Sequence, residues 1–478
     1  MEGLGGSGMS RDWVVDAKRG MVAEPARDLP IVGDADVLVV GGGVAGLAAA
    51  VSAARNGART VLIERANVIG GSATSGRMCA FWAPYDSLSG FSKEVAERLV
   101  AEGAGIPGGA VFPFDPTALE ALSLDLLREA GVAVRLYTWA VRAIVAGGRT
   151  LGVAIESKSG REALLGRVLI DATGDGDLAV SAGAGYIKGR SRDGKMRPLT
   201  LLFRIGNIDS GRLLHYVREH PAEFAPDPDI HIVDAERGLY RFSGFFGLVG
   251  AARERREIDP NIHYLRLENF DPKRGMALVN TIRIYERDGT KGEDLTDAEV
   301  RSRRIQRDLL RFMRGRVPGL ESVVVMDTAS SIGVRETRHI LGEYLLTEED
   351  VTTNRSFSDT ILIAQGKKAA GQPVHTPDAG EGSETDVQER GILWTLYTYQ
   401  VPYACLIPRG VEDVLLTGRC ISATHEADGF TRDQPTCMGT GQAAGAAAAR
   451  ACQGKVGVRE IDVQHLRALL GAQGLRVR

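Results

Sequence analysis

Three glycines at one spacing, with a carboxylate downstream, are the residues of this chain best suited to holding a phosphate-bearing ligand. Gly41, Gly43 and Gly46 form G-x-G-x-x-G directly after the apolar run 37–40, and Glu64 closes a second apolar run. The first glycine permits a tight turn, the second lets backbone N–H groups approach a pyrophosphate, and the third lets the helix pack closely on the strand. The helix start brings the positive end of its dipole to the same place. A carboxylate at Glu64 can accept hydrogen bonds from an adenosine ribose and would repel a 2′-phosphate. Strand, turn, alanine-rich helix and second strand predict a dinucleotide-binding βαβ unit over 37–65. Residues 37–54 are uncharged and long enough to cross a bilayer, but three consecutive glycines and the fit to βαβ argue against a membrane span.

The elements that must position these residues come from a chain of 478 residues, long enough for two or more cores. With 61 acidic and 58 basic residues the net charge is -3, which gives no electrostatic reason to expect nucleic acid or an anionic membrane as partner. The five cysteines include no C-x-x-C, so neither a disulfide framework nor the usual zinc or iron–sulfur spacing is present, and no metal site is expected. A reducing cytoplasm is the natural compartment. The N-terminus lacks the features of a secretory signal, residues 1–10 read as a flexible leader, and Met9 could be the native start.

Beyond Glu64, the small-residue loop 70–76 could pass close to a bound cofactor or serve only as a turn. Asp115 and Pro116 predict the cap and first residue of a helix over 117–130. Strands are expected at 132–137, 141–146, 151–156 and 163–170, the last entering Asp171-Ala172-Thr173-Gly174-Asp175-Gly176-Asp177. From about 198 to 400 apolar strands alternate with polar loops, around one helix opened by Thr296-x-x-Glu299 and ending near Arg314. Residues 366–391 read as a mobile loop. A short strand at 414–418 and an alanine-rich helix at 439–452 then restore nucleotide-domain character. That late return favours a flavin over a nicotinamide cofactor, because a flavin needs a C-terminal strand and helix to support its ring, and the helix start stabilises charge on the reduced form. Gly439-x-Gly441-x-x-x-Gly445 resembles a nicotinamide phosphate loop, but residues 435–437 before it are not a buried strand. No second βαβ fingerprint appears over 190–400, so no NAD(P)H domain is expected.

With these segments in place the chain resembles the FAD-dependent oxidoreductase family related to the flavin subunit of heterodisulfide reductase. The resemblance spans roughly 34–452 and rests on four blocks in order: the opening βαβ with Gly70-Gly71, IDATGDGD at 170–177, GVRETRHILGEYLLTEEDV at 333–351, and the block from Val401 to Ala449. It implies FAD bound along Gly41, Gly43, Val44, Ala45, Gly46, Glu64 and Arg65. Gly71 and Ser72 would lie near the cofactor, Thr173, Gly174 and Asp175 would border the nucleotide, and Gly418, Arg419, Gly441 and Gln442 would flank the flavin. Two departures stand out. Arg419 occupies the position where many relatives of the wider fold place a ribityl-binding acid, and the cysteine clusters of the heterodisulfide reductase subunit are absent.

Catalytic candidates come from the same blocks. Arg335, Arg338, Arg419 and Arg432 could clamp a substrate carboxylate or stabilise a reduced flavin anion, and could equally form buried ion pairs with Glu336, Glu343 or Asp433. His425 is the candidate for proton transfer, or for a hydrogen bond to cofactor or backbone. Cys437, just before a helix start, could be a redox thiol with lowered pKa or small packing. Tyr397, Tyr399 and Tyr403 could wall the pocket or pack the core.

The expected architecture is α/β: a Rossmann-like, glutathione-reductase-like FAD-binding domain carrying an inserted α+β substrate domain. Its expected segments are an N-terminal extension (1–33), the first part of the FAD domain (34–196), the insert (197–400) and the C-terminal part (401–478). The expected activity is hydride transfer between a small-molecule organic substrate and FAD. The alternatives are an FAD-dependent monooxygenase, an electron-transfer flavoprotein subunit that docks a partner protein, and a degenerate flavoprotein scaffold. Assembly into a homo-oligomer stays open.

Overall fold

The computed structural model describes residues 13–109, 111–224, 239–369, 377–378 and 394–478. The expected leader 1–10 lies outside the described residues, as does most of the expected loop 366–391. The start of that loop instead continues the strand Thr360–Ala369, which pairs antiparallel with Trp394–Pro402.

Buried runs of Val, Leu and Ile, of the kind parallel sheets require on both faces, build a seven-stranded sheet. Strand Ile31–Val40 lies parallel between Thr60–Ile63 and Gly160–Asp171, and Ala133–Arg135 extends the sheet beyond Thr60–Ile63. The first half of Gly160–Asp171 pairs on its other side with antiparallel Arg149–Ser157, which pairs in turn with Trp139–Ala146. Its last three residues pair instead with Val414–Leu416, from the far end of the chain. Five parallel strands therefore end side by side at Arg135, Ile63, Val40, Asp171 and Leu416. Ligands of open α/β sheets bind at such carboxyl edges.

The glycine-turn helix Val44–Arg55 packs directly on the terminal helix Gln434–Gly454. Gly441 and Gly445 make this possible: a Cβ on either would overlap the carbonyl oxygen of Ala45 or Ala49. The Ser52 hydroxyl fastens the pair by donating to the Gln442 carbonyl at 2.7 Å. Among the described residues, no helix is long and apolar enough to cross a membrane.

A second core is built on a five-stranded antiparallel sheet, in the order Tyr240–Gly244, Leu265–Asp271, Met276–Val279, Phe203–Gly206 and Val324–Thr328. The amphipathic helix Gly292–Arg316 contributes Ala298, Ile305, Leu309, Phe312 and Met313 to it. This helix begins a turn before the expected capping box. Glu293 and Asp294 occupy its first turn, and Thr296 is already inside, its hydroxyl donating to the Gly292 carbonyl at 2.8 Å.

The buried apolar residues of the second core run from Leu199 to Ala329. Ile340, Ile361, Tyr399 and Val401 belong to the first core, and strand Thr360–Ala369 packs on the terminal helix, with Leu362 against Gly439. The segment expected as a single insert over 197–400 thus contributes to both cores.

Candidate functional site

A cavity of about 530 Å³ runs along the carboxyl edge of the parallel strands. Its wall takes in Gly41, Gly43, Val44 and Ala45 from the glycine turn, Glu64 and Arg65 from the second strand end, and Gly71 and Ser72 from the small-residue loop. Thr173, Gly174 and Asp175 join from one strand end, and Gly418 and Arg419 from another.

The glycine turn separates what the chain needs from what a ligand needs. Gly41 has φ +103°, and a Cβ there would overlap the Ala172 carbonyl. A Cβ on Gly46 would overlap the Gly41 carbonyl. At Gly43 an added Cβ meets no protein atom within 4 Å, so only something filling the cavity asks for glycine there. The helix that follows has no side-chain cap and no acidic residue in its first turn, which leaves its leading N–H groups available for an anion. Glu64 is held at the wall by two amides, Gly42 N–H donating to Oε2 at 2.5 Å and Ala66 N–H to Oε1 at 2.7 Å. Each oxygen keeps a lone pair for a ribose hydroxyl. The open helix start and the free lone pairs of Glu64 are the groups that the pyrophosphate and a ribose of a dinucleotide would need.

Asp171 fixes the neighbouring loop. Fully buried, it accepts from the Thr173 N–H at 3.0 Å, the Thr173 hydroxyl at 2.7 Å and the Ala179 N–H at 2.8 Å. Burial pushes its pKa up to about 6 against the downward pull of these donors. Asp175 Oδ1 receives Arg419 at 2.7 Å and the Thr337 hydroxyl at 2.8 Å.

Three expected contacts take other places. Gly46 and Gly441 are packing glycines outside the wall. Gln442 turns to the far side of the helix, where its Oε1 accepts from the Phe91 N–H at 2.8 Å. Arg338, expected at the substrate, is also outside the wall. It donates to the Asp177 carboxylate at 2.6 Å and the Asp175 carbonyl at 3.0 Å, with Tyr186 beneath its guanidinium.

Toward the interior the cavity continues between the second core and the terminal helix. Arg266, Asn280 and Arg335 wall one side, Arg432, Asp433 and Gln434 the other. Trp82 also lines it, its ring 5.3 Å from the Arg266 guanidinium and 4.7 Å from that of Arg241. Arg335 is 7% exposed and donates to the Pro198 carbonyl at 2.6 Å. Burial, then the neighbouring Arg283 and Arg432 charges, hold its pKa well below the usual value. The Arg432 guanidinium makes no hydrogen bond among the described residues, its nearest carboxylate oxygen being Asp428 Oδ2 at 3.8 Å.

Asp433, expected only as an ion-pair partner of the arginines, is a functional candidate in its own right. It stands at the N-cap of the terminal helix, yet its side chain does not cap. Among the described residues its carboxylate has no hydrogen bond or ion pair, and it faces the cavity. Burial pushes its pKa up to about 7, against Arg432 and with help from Asp428. The available signal was Pro435 two positions on, which marks Asp433 as a helix cap.

Two expected chemical roles are corrected. His425 is 2% exposed and outside the wall. Its Nδ1 pairs with Glu336 Oε1 at 2.7 Å, in a buried network centred on Arg197. Arg197 donates to Asp428 Oδ2 at 2.9 Å and to the His425 carbonyl at 2.7 Å, and lies 3.4 Å from Glu336 Oε2. Glu336, His339 and Asp428 bring ligand-type atoms close together, and the cation that the two carboxylates hold is Arg197, with His339 bonded to Glu336. Burial alone would raise the Glu336 pKa, but Arg197 and the two imidazoles keep it well below the ordinary range. Cys437 does line the cavity, but burial pushes its thiol up to about 12, with Asp433 and Asp428 adding to the effect. The protonated thiol lies 3.3 Å from the Arg432 carbonyl, and the expected lowering by the helix start loses to desolvation. Tyr399 and Tyr403 are core residues bonded to the carbonyls of Phe430 and Val458, and Tyr397 stacks edge-on against Phe430.

Solved structures with similar chain paths include a geranylgeranyl bacteriochlorophyll reductase-like protein from Thermoplasma acidophilum, at 15% identity and TM-score 0.46 over 93% of this chain and 85% of that one. A p-nitrophenol 4-monooxygenase from Pseudomonas putida gives 12% and 0.42 over 92% and 81%. The myxobacterial chondrochloren halogenase gives 13% and 0.45 over 92% and 78%. No curated protein sequence matches the chain. A family model described as FAD dependent oxidoreductase matches residues 36–470. This is nearly the whole of both cores and every wall of the cavity, so the chain belongs to the FAD-dependent oxidoreductase family, has the family's mixed α/β fold and uses FAD as its cofactor.

Proposed function

We propose that this enzyme oxidises a small organic substrate by hydride transfer to FAD, the substrate lying at the interior end of the cavity. The carrying observation is the continuity of the cavity from the nucleotide cradle to Asp433, Arg432 and Arg335. Bound at the cradle, FAD supplies a two-electron acceptor. Gly41, Gly43, Glu64 and the open helix start hold its nucleotide end, and Arg419 with Asp175 keeps the two central strand ends in register beneath it. Asp433 takes the proton from the substrate's hydroxyl or amine as the C–H bond gives up its hydride, leaving a C=O or C=N product. An unpartnered carboxylate with a pKa near 7 suits this role at neutral pH. The motif order also supports a relation to the flavin subunit of heterodisulfide reductase, and the free cysteines support a reducing cytoplasmic setting.

The test is anaerobic mixing of purified holoprotein with fractionated pools of small alcohols, amines and hydroxy acids, read as bleaching of the flavin band. NADPH is expected not to bleach it rapidly. Stoichiometric bleaching by NADPH, with none by any organic pool, would replace this reading with the monooxygenase alternative.

A further inference from the structure

Among the described residues, the interior end of the cavity holds buried guanidinium groups that no carboxylate there pairs. Arg283 is 2% exposed and Arg335 7%, and among the described residues neither has a carboxylate partner. Arg283 is held only by neutral groups: Asn280 Oδ1 at 3.2 Å, the Ile282 carbonyl at 3.0 Å and the Tyr264 hydroxyl at 3.1 Å. Its Nε has no hydrogen-bond partner among the described residues, nor does Arg432 Nε, which has only Asp428 Oδ2 at 3.8 Å. The nearby carboxylates are already engaged. Glu268 accepts from Arg266 at 2.7 Å, and Asp428 and Glu336 both hold Arg197. Asp433, with a pKa pushed up to about 7 by burial, carries little charge below neutrality.

A buried guanidinium without a counter-ion carries a large desolvation cost, and proteins normally meet it with a paired anion. Here the cost falls on neighbouring groups at once, since Arg283 and Arg432 both disfavour the charged form of Arg335. An anion placed between Arg335 and Arg432 relieves all of these, and a planar carboxylate matches the guanidinium fork. We propose that the substrate of this enzyme is a carboxylate, with Arg335 and Arg432 binding its carboxyl group, Arg283 adding charge from behind through Asn280, and Asp433 left to face the reacting carbon. This rests on the hydride-transfer reading for what happens next, but the binding itself does not depend on it.

The test is equilibrium binding to the oxidised holoprotein. Acetate, benzoate and succinate are titrated beside acetamide, benzamide and succinamide, followed by calorimetry and by shifts of the flavin absorption bands. At least one acid is expected to bind roughly 10-fold or more tightly than its amide, and Arg335→Gln and Arg432→Gln each to weaken it by roughly 30-fold or more. Arg335→Lys, which keeps the charge and loses the fork, should recover part of that loss. The wild-type comparison of acid with amide needs no variant, so it stands even where a substitution unfolds the protein. Equal binding of every acid and its amide overturns the proposal. So does a lowered flavin reduction potential in the two Gln variants with carboxylate binding intact, since the charge would then serve the cofactor. Turnover of a neutral donor without any carboxylate preference would sink the substrate class and leave hydride transfer standing, whereas tight carboxylate binding without bleaching by any donor would do the reverse.

Discussion

Arg419 and Asp175, 244 positions apart, meet at 2.7 Å and lock together the ends of two adjacent parallel strands. Thr337 completes the knot, donating to Asp175 at 2.8 Å and accepting from Arg419 at 3.0 Å. A basic residue thus stands where the wider fold often has an acid, and the acid reaches the same seam from the neighbouring loop. Burial disfavours the Arg419 charge, but Asp175 outweighs it and raises the pKa.

Removing one partner of a largely buried pair strands the other, so Arg419→Ala should cost about 3–5 kcal/mol of stability. Because both residues line the cavity, the same change should also loosen FAD. Thermal melts and flavin release on dilution read the two effects separately. A melt unchanged within a degree would show that the pair is not a strut.

The glycine turn yields a contrast. Gly43→Val should leave the apoprotein folded with a near-native circular dichroism spectrum and abolish FAD binding, because its side chain enters only ligand space. Gly46→Val should unfold or strongly destabilise the protein even without FAD, because its Cβ overlaps the Gly41 carbonyl. Equal apoprotein melts for the two variants would remove the distinction.

The nucleotide half of this site was legible in sequence because it is local. A strand, three glycines and an acid lie within one βαβ unit, and backbone geometry alone dictates their types. Helix Pro116–Glu129 was equally readable, with Asp115 accepting from the Thr117 N–H at 2.8 Å as an N-cap should. The interior half was not, because it depends on which side chains turn inward from elements far apart in sequence. Motif position placed His425 near the flavin, but the first turn of its short helix directs the ring to Glu336 and away from the cavity. Asp433, eight positions on, faces the opening instead. Periodicity cannot resolve such choices, since Arg197 and its carboxylates decide them through contacts across the whole chain.

That relocation changes what His425→Ala should do. A proton-transfer role for His425 would mean selective loss of substrate-dependent reduction. The buried pairing with Glu336 predicts instead a lowered melting temperature, since a buried carboxylate loses a hydrogen bond worth about 1.5–3 kcal/mol. Residual folded enzyme should reduce its flavin at a near-normal rate. A slowing of more than about 10²-fold with an unchanged melt would restore the catalytic role.

Asp433 carries the prediction with a defined pH window. Burial raises its folded pKa from the usual 3.8 to about 7, so between these pH values the folded protein keeps a proton that the unfolded chain has lost. The folded state then binds more protons, and this group's contribution makes stability fall as pH rises from about 4 to about 7, levelling off above. Asp433→Asn removes that slope, so the variant's gain in stability over wild type should be small near pH 4 and largest above pH 7. Catalysis should move the opposite way. As the base in substrate oxidation Asp433 must be ionised, so anaerobic flavin reduction should rise with pH through about 7 in wild type. The Asn variant should be slower by roughly 10²- to 10⁴-fold and lose that inflection. Stopped-flow reduction between pH 5 and 9, beside melts at the same pH values, measures both. A variant that stabilises the protein at high pH but keeps the wild-type rate profile would leave Asp433 as a buried acid with no part in proton transfer.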